Sequence, residues 1–317
     1  MLFLNPIFIE KLWGGEKFKK YNFSLPNNSI GEVIVCGAIA EEADSKIERG
    51  VFQDLNLSFV WKVFPNLFNN FPSNNFPLLI KLISAEQDLS IQVHPTEEYA
   101  KLHDTDPKTE AWFILESSND NKIIYGHQAK DKDELTQLIK NKNWIDLINE
   151  IRIDKNDCLL LVPGTVHAIK AGTVLYELQQ PSLETYRLYD YDRLDKNKQL
   201  RALHIDQALD NIYYPQLFQH PDKPILEIDT MPLKIWKLFE SIYFIAKKVQ
   251  LNSKKDIKID SFSDYFLVLT MISGQITFND HLLTKGVSLI LTKDEIDNFY
   301  VFGNGEFILA APISKIS

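Results

Sequence analysis

The chain has 317 residues, 24% of them charged and 45% hydrophobic, with a formal net charge of -9. That balance supports a buried core and excludes disorder, and the acidic excess argues against a nucleic-acid partner, which needs a dominant basic face. Two cysteines, Cys36 and Cys158, exclude a disulfide framework, and no run approaches the ~20 apolar residues of a membrane helix.

Residues 1–15 open on an apolar run but carry Glu10 and Lys11 and lack a small-residue cleavage site, so no targeting segment and a cytoplasmic location are expected. A stretch rich in Leu, Val and Trp predicts a helix over 53–64. Residues 77–93 read P-L-L-I-K-L-I-S-A-E-Q-D-L-S-I-Q-V, two apolar runs parted by Glu86, Gln87 and Asp88, which predicts two strands. Lys81 interrupts the first run, so its charge must face either solvent or a polar interior. In the second, Gln92 and His94 are two apart and share a strand face, with Cα atoms roughly 6.6 Å apart. That spacing suits two ligands of one ion, and a solvated polar face equally well.

Further strands are predicted over 110–115, 122–125, 157–162, 174–179 and 185–189, most bounded by Gly, Pro, Asn or Asp. Glu110 opens the first of them in P-K-T-E-A-W, where a surface charge is the simplest single-residue reading. Between the strands, Leu135, Leu138, Ile139, Ile145 and Ile148 recur at helical rather than alternating spacing and predict a helical insertion within 131–151. His167 follows the Pro-Gly of L-L-L-V-P-G-T-V-H-A-I, and alone it reads as a satisfied core histidine. Tyr186, Tyr189 and Tyr191 interleave with Arg187, Asp190, Asp192 and Arg193, a pattern suited to a sugar site or to strand-edge packing. A helix is expected over 204–211.

The prolines at 215, 221 and 224 mark a boundary near 216–225. Beyond it, strands are predicted over 233–238, 243–250, 265–272, 275–278, 287–291 and 306–311. Turns are expected at Ser273-Gly274, Asn279-Asp280 and Asn304-Gly305. His281 is the only histidine of this second unit and has no paired ligand motif.

Taken together, two imidazoles and a carboxylate, with the Gln92 amide beside them, make a three- or four-donor metal site with positions left open for substrate. The same residue types describe the facial triad of a non-haem iron oxygenase, and also a sugar-responsive regulator that binds metal without turnover. The Gln-x-His strand and the downstream Pro-Gly-x-x-His segment resemble the two motifs of cupin barrels.

The resemblance narrows with F-P-L-L-I-K-L-I-S-A-E-Q-D-L-S-I-Q-V-H-P over 76–95, P-K-T-E-A-W, V-P-G-T-V-H-A and E-T-Y-R-L-Y-D-Y-D-R. With the opening N-P-I-F-I-E-K-L-W-G-G, these are similar to type I mannose-6-phosphate isomerases of the short bacterial form. The resemblance is specific through about Arg193 and weaker beyond. It departs at G-E-V-I-V-C-G, where relatives usually carry a Trp soon after the Glu.

The resemblance implies a mainly β fold of two cupin-like jelly-roll units. These are a metal-binding catalytic unit over 1–220, with a helical insertion at about 128–151, and a degenerate, metal-free unit over 221–317. It implies zinc on His94, Glu110 and His167, with Gln92 as a fourth ligand, and catalytic roles for Arg187, Lys108 and Lys81. The implied reaction interconverts mannose 6-phosphate and fructose 6-phosphate. A small sugar phosphate is then the expected partner, with no nucleic acid and no membrane, and the chain is expected as a monomer or weak homo-oligomer.

Overall fold

The computed structural model describes residues 1–39, 41–117, 120–216 and 219–314. Among them the chain is mainly β, built from three antiparallel sheets. A six-stranded sheet runs in the order Ile7–Gly15, Ile30–Cys36, Leu79–Ser84, Val174–Gln179, Glu110–Glu116, Cys158–Leu161. A five-stranded sheet runs Tyr186–Tyr189, Ile91–Val93, His167–Ala168, Lys122–His127, Ile148–Arg152.

The inner strands of the six-stranded sheet are buried on both faces, which is why they read as apolar runs broken by single charges rather than as alternating ones. On one face, Ile83, Trp112, Ile114, Leu159, Leu161 and Leu175 meet Ile123, Tyr125 and Ile151 of the five-stranded sheet. On the other, Val33, Ile80, Leu82, Phe113, Tyr176 and Leu178 pack against Phe244, Phe266, Val268, Ile308 and Ala310 of the third sheet. That third sheet is built from Ile225–Thr230, Leu233–Glu240, Phe244–Lys258, Tyr300–Pro312, Leu267–Phe278 and Ser288–Leu291, with Leu2–Phe3 on its far edge and His281–Thr284 beside Leu267–Phe278. Its own second face closes over Val249, Leu251, Leu269, Met271, Phe278 and Phe307.

The helical insertion differs in part from expectation. Lys132–Lys140 and Trp144–Leu147 are helical, but Ile148–Arg152 becomes an edge strand of the five-stranded sheet. Leu135, Ile139 and Leu147 cover Ile91, Val93, Ile124 and Leu188 on the outside of that sheet, so the insertion seals a sheet face and not a pocket mouth. Two expected turns are also absent. Ser273-Gly274 and Asn304-Gly305 lie inside the strands Leu267–Phe278 and Tyr300–Pro312, facing one another across a bulge. Gly274 has φ +66°, and a Cβ there would stand 2.2 Å from the Asn304 carbonyl oxygen, so the glycine serves close strand approach. Asn279 and Asp280, both at positive φ, do form the hairpin turn before His281–Thr284.

Candidate metal centre and substrate cavity

Register brings the predicted residues together. His167 and Arg187 each stand directly opposite Gln92, on the strands flanking Ile91–Val93, so the three side chains share one face of the five-stranded sheet. On the sheet facing them, Glu177 stands opposite both Lys81 and Trp112. Glu110, two residues before Trp112 on the same strand, stands opposite Gln179 and Leu161 and points to the same side as Trp112.

Gly164 shapes the approach to His167. At φ +84° it makes the turn after Cys158–Leu161, and a Cβ there would meet the Asn211 carbonyl oxygen at 2.6 Å. Its N–H donates to the His94 carbonyl oxygen at 3.1 Å, tying the two histidine segments together.

His94, Glu110 and His167 are all buried, and their donor atoms lie within 4.8 Å of one another. Glu110 sets Oε2 at 3.1 Å from His94 Nε2 and Oε1 at 3.3 Å from His167 Nε2. The opposite ring nitrogens are held from behind: His94 Nδ1 lies 2.9 Å from the Glu184 carbonyl oxygen and His167 Nδ1 2.9 Å from that of Thr165. Those bonds place the proton on Nδ1 and leave each Nε2 lone pair facing the carboxylate, as a ligating histidine requires. Glu110 Oε2 has the Lys108 ammonium 2.9 Å away, whereas His94 Nε2 and Glu110 Oε1 are buried without a hydrogen-bond partner. Buried polar atoms are seldom left so, and a cation among the three would satisfy them.

Electrostatics sets the matching protonation states. Burial, aided by Lys108, pushes His94 down to about 3 against the pull of Glu110, and burial likewise lowers His167. Burial would raise Glu110, but Lys108 and the two histidines outweigh it and hold the carboxyl well below its usual range. At neutral pH the trio is two neutral imidazoles and one carboxylate. Lys108 Nζ sits 2.9 Å from Glu110 Oε2, and Gln92 Nε2 3.3 Å from His167 Nε2, so both adjoin the cluster.

A cavity of about 220 Å³ opens beside it, faced by Gln92, His167, Lys81, Lys108 and Arg187. Arg187 does not pair with Asp190, whose carboxylate is taken by Arg193 and Arg201, and Arg187 Nε is buried without a hydrogen-bond partner. Lys81 Nζ lies 3.3 Å from Glu177 and 3.7 Å from Glu32. Burial alone would lower its pKa, yet these carboxylates raise it, the opposite of what a proton-exchanging lysine needs. Tyr186, Tyr189 and Tyr191 do not line this cavity. Tyr186 alternates out of phase with Arg187, and a bulge between Arg187 and Tyr189 turns Tyr189 to the outer, helix-covered side, where it stacks on Trp144 at 4.6 Å.

Sequence reasoning missed Lys11, Glu32, Glu177 and Arg201, which also line the cavity. Glu177 had a usable signal, a charge inside the apolar run V-L-Y-E-L-Q like that of Lys81. Arg201 had none, because its partner Asp190 and its place at the cavity are set by the loop between them.

Facing antiparallel sheets, with a His, Glu, His trio that could hold a metal ion at the edge of a cavity lined by several cations, define a cupin-like protein. Comparison with known proteins narrows the class. Residues 1–114 match the model of the phosphomannose isomerase type I catalytic domain. Mannose-6-phosphate isomerase ManA of Bacillus subtilis is 36% identical over 279 residues, 86% of each chain. Mannose-6-phosphate isomerase of Streptococcus mutans is 34% identical over 92% of each. A crystal structure of the mannose 6-phosphate isomerase from Bacillus subtilis superposes with a TM-score of 0.89 at 31% identity, covering 98% of this chain and 99% of that one. The chain therefore belongs to the type I mannose-6-phosphate isomerase family.

Proposed function

We propose that the chain is a zinc-dependent aldose–ketose isomerase that interconverts mannose 6-phosphate and fructose 6-phosphate. The observation that carries this reading is the buried His94, Glu110, His167 trio, with His94 Nε2 and Glu110 Oε1 lacking hydrogen bonds, set beside a cavity lined by Arg187, Arg201, Lys11, Lys81 and Lys108. Family membership supplies the substrate class.

Moving a proton between adjacent carbons through an enediol requires polarised oxygens, a positioned acid/base and a grip on the phosphate. Zinc held by His94, Glu110 and His167, with Gln92 beside them, would supply redox-inert Lewis acidity. The chain's own groups do the rest. Arg187 offers a planar, permanently charged fork suited to a phosphate or to oxygens gaining charge, and Arg201, held on Asp190, adds positive charge beside it. Lys81, clamped as an ammonium, stabilises negative charge along one wall. Lys108, beside the carboxylate, is placed to interact with the reacting oxygens.

We also read residues 1–220 as the catalytic unit, residues 221–317 as a cupin-like structural partner, and the cytoplasm as the working compartment. The test is a coupled assay that follows fructose 6-phosphate from mannose 6-phosphate, before chelation, after it, and after restoring zinc or ferrous iron. Turnover lost on chelation and restored by zinc supports the proposal. Bound sugar phosphate without turnover would favour a binding protein, and restoration by iron alone an iron enzyme.

A further inference from the structure

Five adjacent strands of the six-stranded sheet send polar side chains into the cavity, among them Lys11, Glu32, Lys81, Glu177 and Trp112. They form an unbroken chain of contacts. Lys11 Nζ lies 2.9 Å from Glu32 Oε1, Glu32 Oε2 lies 3.7 Å from Lys81 Nζ, and Lys81 Nζ lies 3.3 Å from Glu177 Oε2. Trp112 Nε1 donates to Glu177 Oε1 at 3.2 Å. Charges of alternating sign thus cross the sheet, and Glu32 bridges two cations.

The contact between Glu32 and Lys81 is not imposed by strand pairing. Glu32 stands opposite Ile83, and Lys81 opposite Ile34, so the carboxylate reaches along a diagonal. Lys81 is also within the field of Glu110 on the same sheet, Lys108 faces the same cavity, and Lys11 lies beyond Glu32. Of these groups, Glu32 and Glu177 are the ones in contact with the ammonium.

We propose that Glu32 is a positioning residue of the isomerase site: it pins the Lys81 ammonium to the cavity wall and ties it to Lys11. Lys81 then acts beside the substrate as a fixed positive charge and not as a proton carrier. The catalytic half of this inference rests on the isomerase reading given above. A purely structural Glu32 would alter stability when replaced and leave the chemistry of Lys81 unchanged.

Zinc-loaded wild type, Glu32→Gln and Glu32→Asp are compared by two measurements. The first is acetylation of Lys81 by acetic anhydride across pH 7 to 11, followed by peptide mass spectrometry. Loss of one carboxylate should raise the rate of Lys81 labelling at a given pH in that range about tenfold or more in Glu32→Gln, with a smaller rise in Glu32→Asp. The second is steady-state kinetics, where Glu32→Gln should lower kcat about tenfold with KM within about twofold, and Glu32→Asp should recover part of the loss. A folded Glu32→Gln protein with an unmoved labelling profile, or with unchanged kcat, overturns the proposal. Should Glu32→Gln fail to fold, Glu32→Asp decides by the same criteria. Absence of turnover in wild type would instead sink the isomerase reading and the catalytic half with it, while labelling still decides the coupling of Glu32 to Lys81.

Discussion

His94 and His167 hold their rings 4.8 Å apart, centroid to centroid, and turn their Nε2 atoms toward the two oxygens of one carboxylate, that of Glu110. Each histidine comes from a different strand segment, and each is locked through Nδ1 by a backbone carbonyl. If the trio holds a metal as proposed, loss of any one of its three groups should remove the ion rather than weaken it slightly. His167→Ala and Glu110→Gln are expected to emerge from purification without a stoichiometric metal, and elemental analysis checks this directly. A full zinc equivalent in either variant would place the metal elsewhere.

Arg187 stands opposite Gln92 and faces the cavity, free of the acidic neighbours that claim Arg193 and Arg201. Burial, reinforced by nearby Arg201, lowers its pKa from the ordinary value, yet a guanidinium stays charged at any working pH. Its unpaired donors are available to substrate oxygens. Arg187→Ala should retain zinc and fold while lowering kcat roughly a hundredfold, and Arg187→Lys should recover little, because a point charge does not replace a fork. Unaltered kcat and KM in a zinc-loaded Arg187→Ala enzyme would remove Arg187 from the chemistry.

The strands around the site were legible because an ionisable residue inside an apolar run is conspicuous. Val174–Gln179 lies where the pattern placed it, and Glu110, His167 and Lys81 each mark the inward face of their strands. What was not legible depends on partners far away in sequence. Glu32 earns its place only through Lys11 and Lys81, which register brings together across strands. Glycine misled the reading in the last hundred residues. Gly274 and Gly305 were read as turns, whereas they let two long strands pass closely at a bulge, and local sequence does not distinguish the two uses.

The segment between the strands Ile30–Cys36 and Leu79–Ser84 is joined to the C-terminal sheet by an aromatic seam. Phe266 is fully buried with ring centroids 5.4 Å from Phe68, 5.5 Å from Phe76 and 5.9 Å from Trp61. Phe266→Ala should cost about 3 to 5 kcal/mol, since these rings have no room to collapse into the void. Urea unfolding should show that loss in one transition shared by both halves of the chain. Two separate transitions in wild type, with only the later half of the chain affected by the substitution, would mean that the seam does not couple them.

Glu32 makes stability depend on acid. Burial would raise its pKa, but Lys81 and Lys11 outweigh that and lower it to about 2, against an ordinary 4.5. A carboxyl whose folded pKa is depressed binds protons more weakly when folded, so its contribution is fully present above the unfolded pKa. It is lost as pH falls from about 4.5 toward about 2. The difference corresponds to about 3 kcal/mol at neutral pH, an order-of-magnitude figure because the carboxylate shares its field with two lysines. Glu32→Gln cannot titrate. The stability gap between wild type and Glu32→Gln should therefore be level from pH 5 to 7 and shrink steadily below about 4.5. Denaturant midpoints at half-unit intervals from pH 3 to 7 measure it. A gap that stays constant down to pH 3 would show that the Glu32 carboxylate is not held by Lys81 and Lys11 in the folded protein.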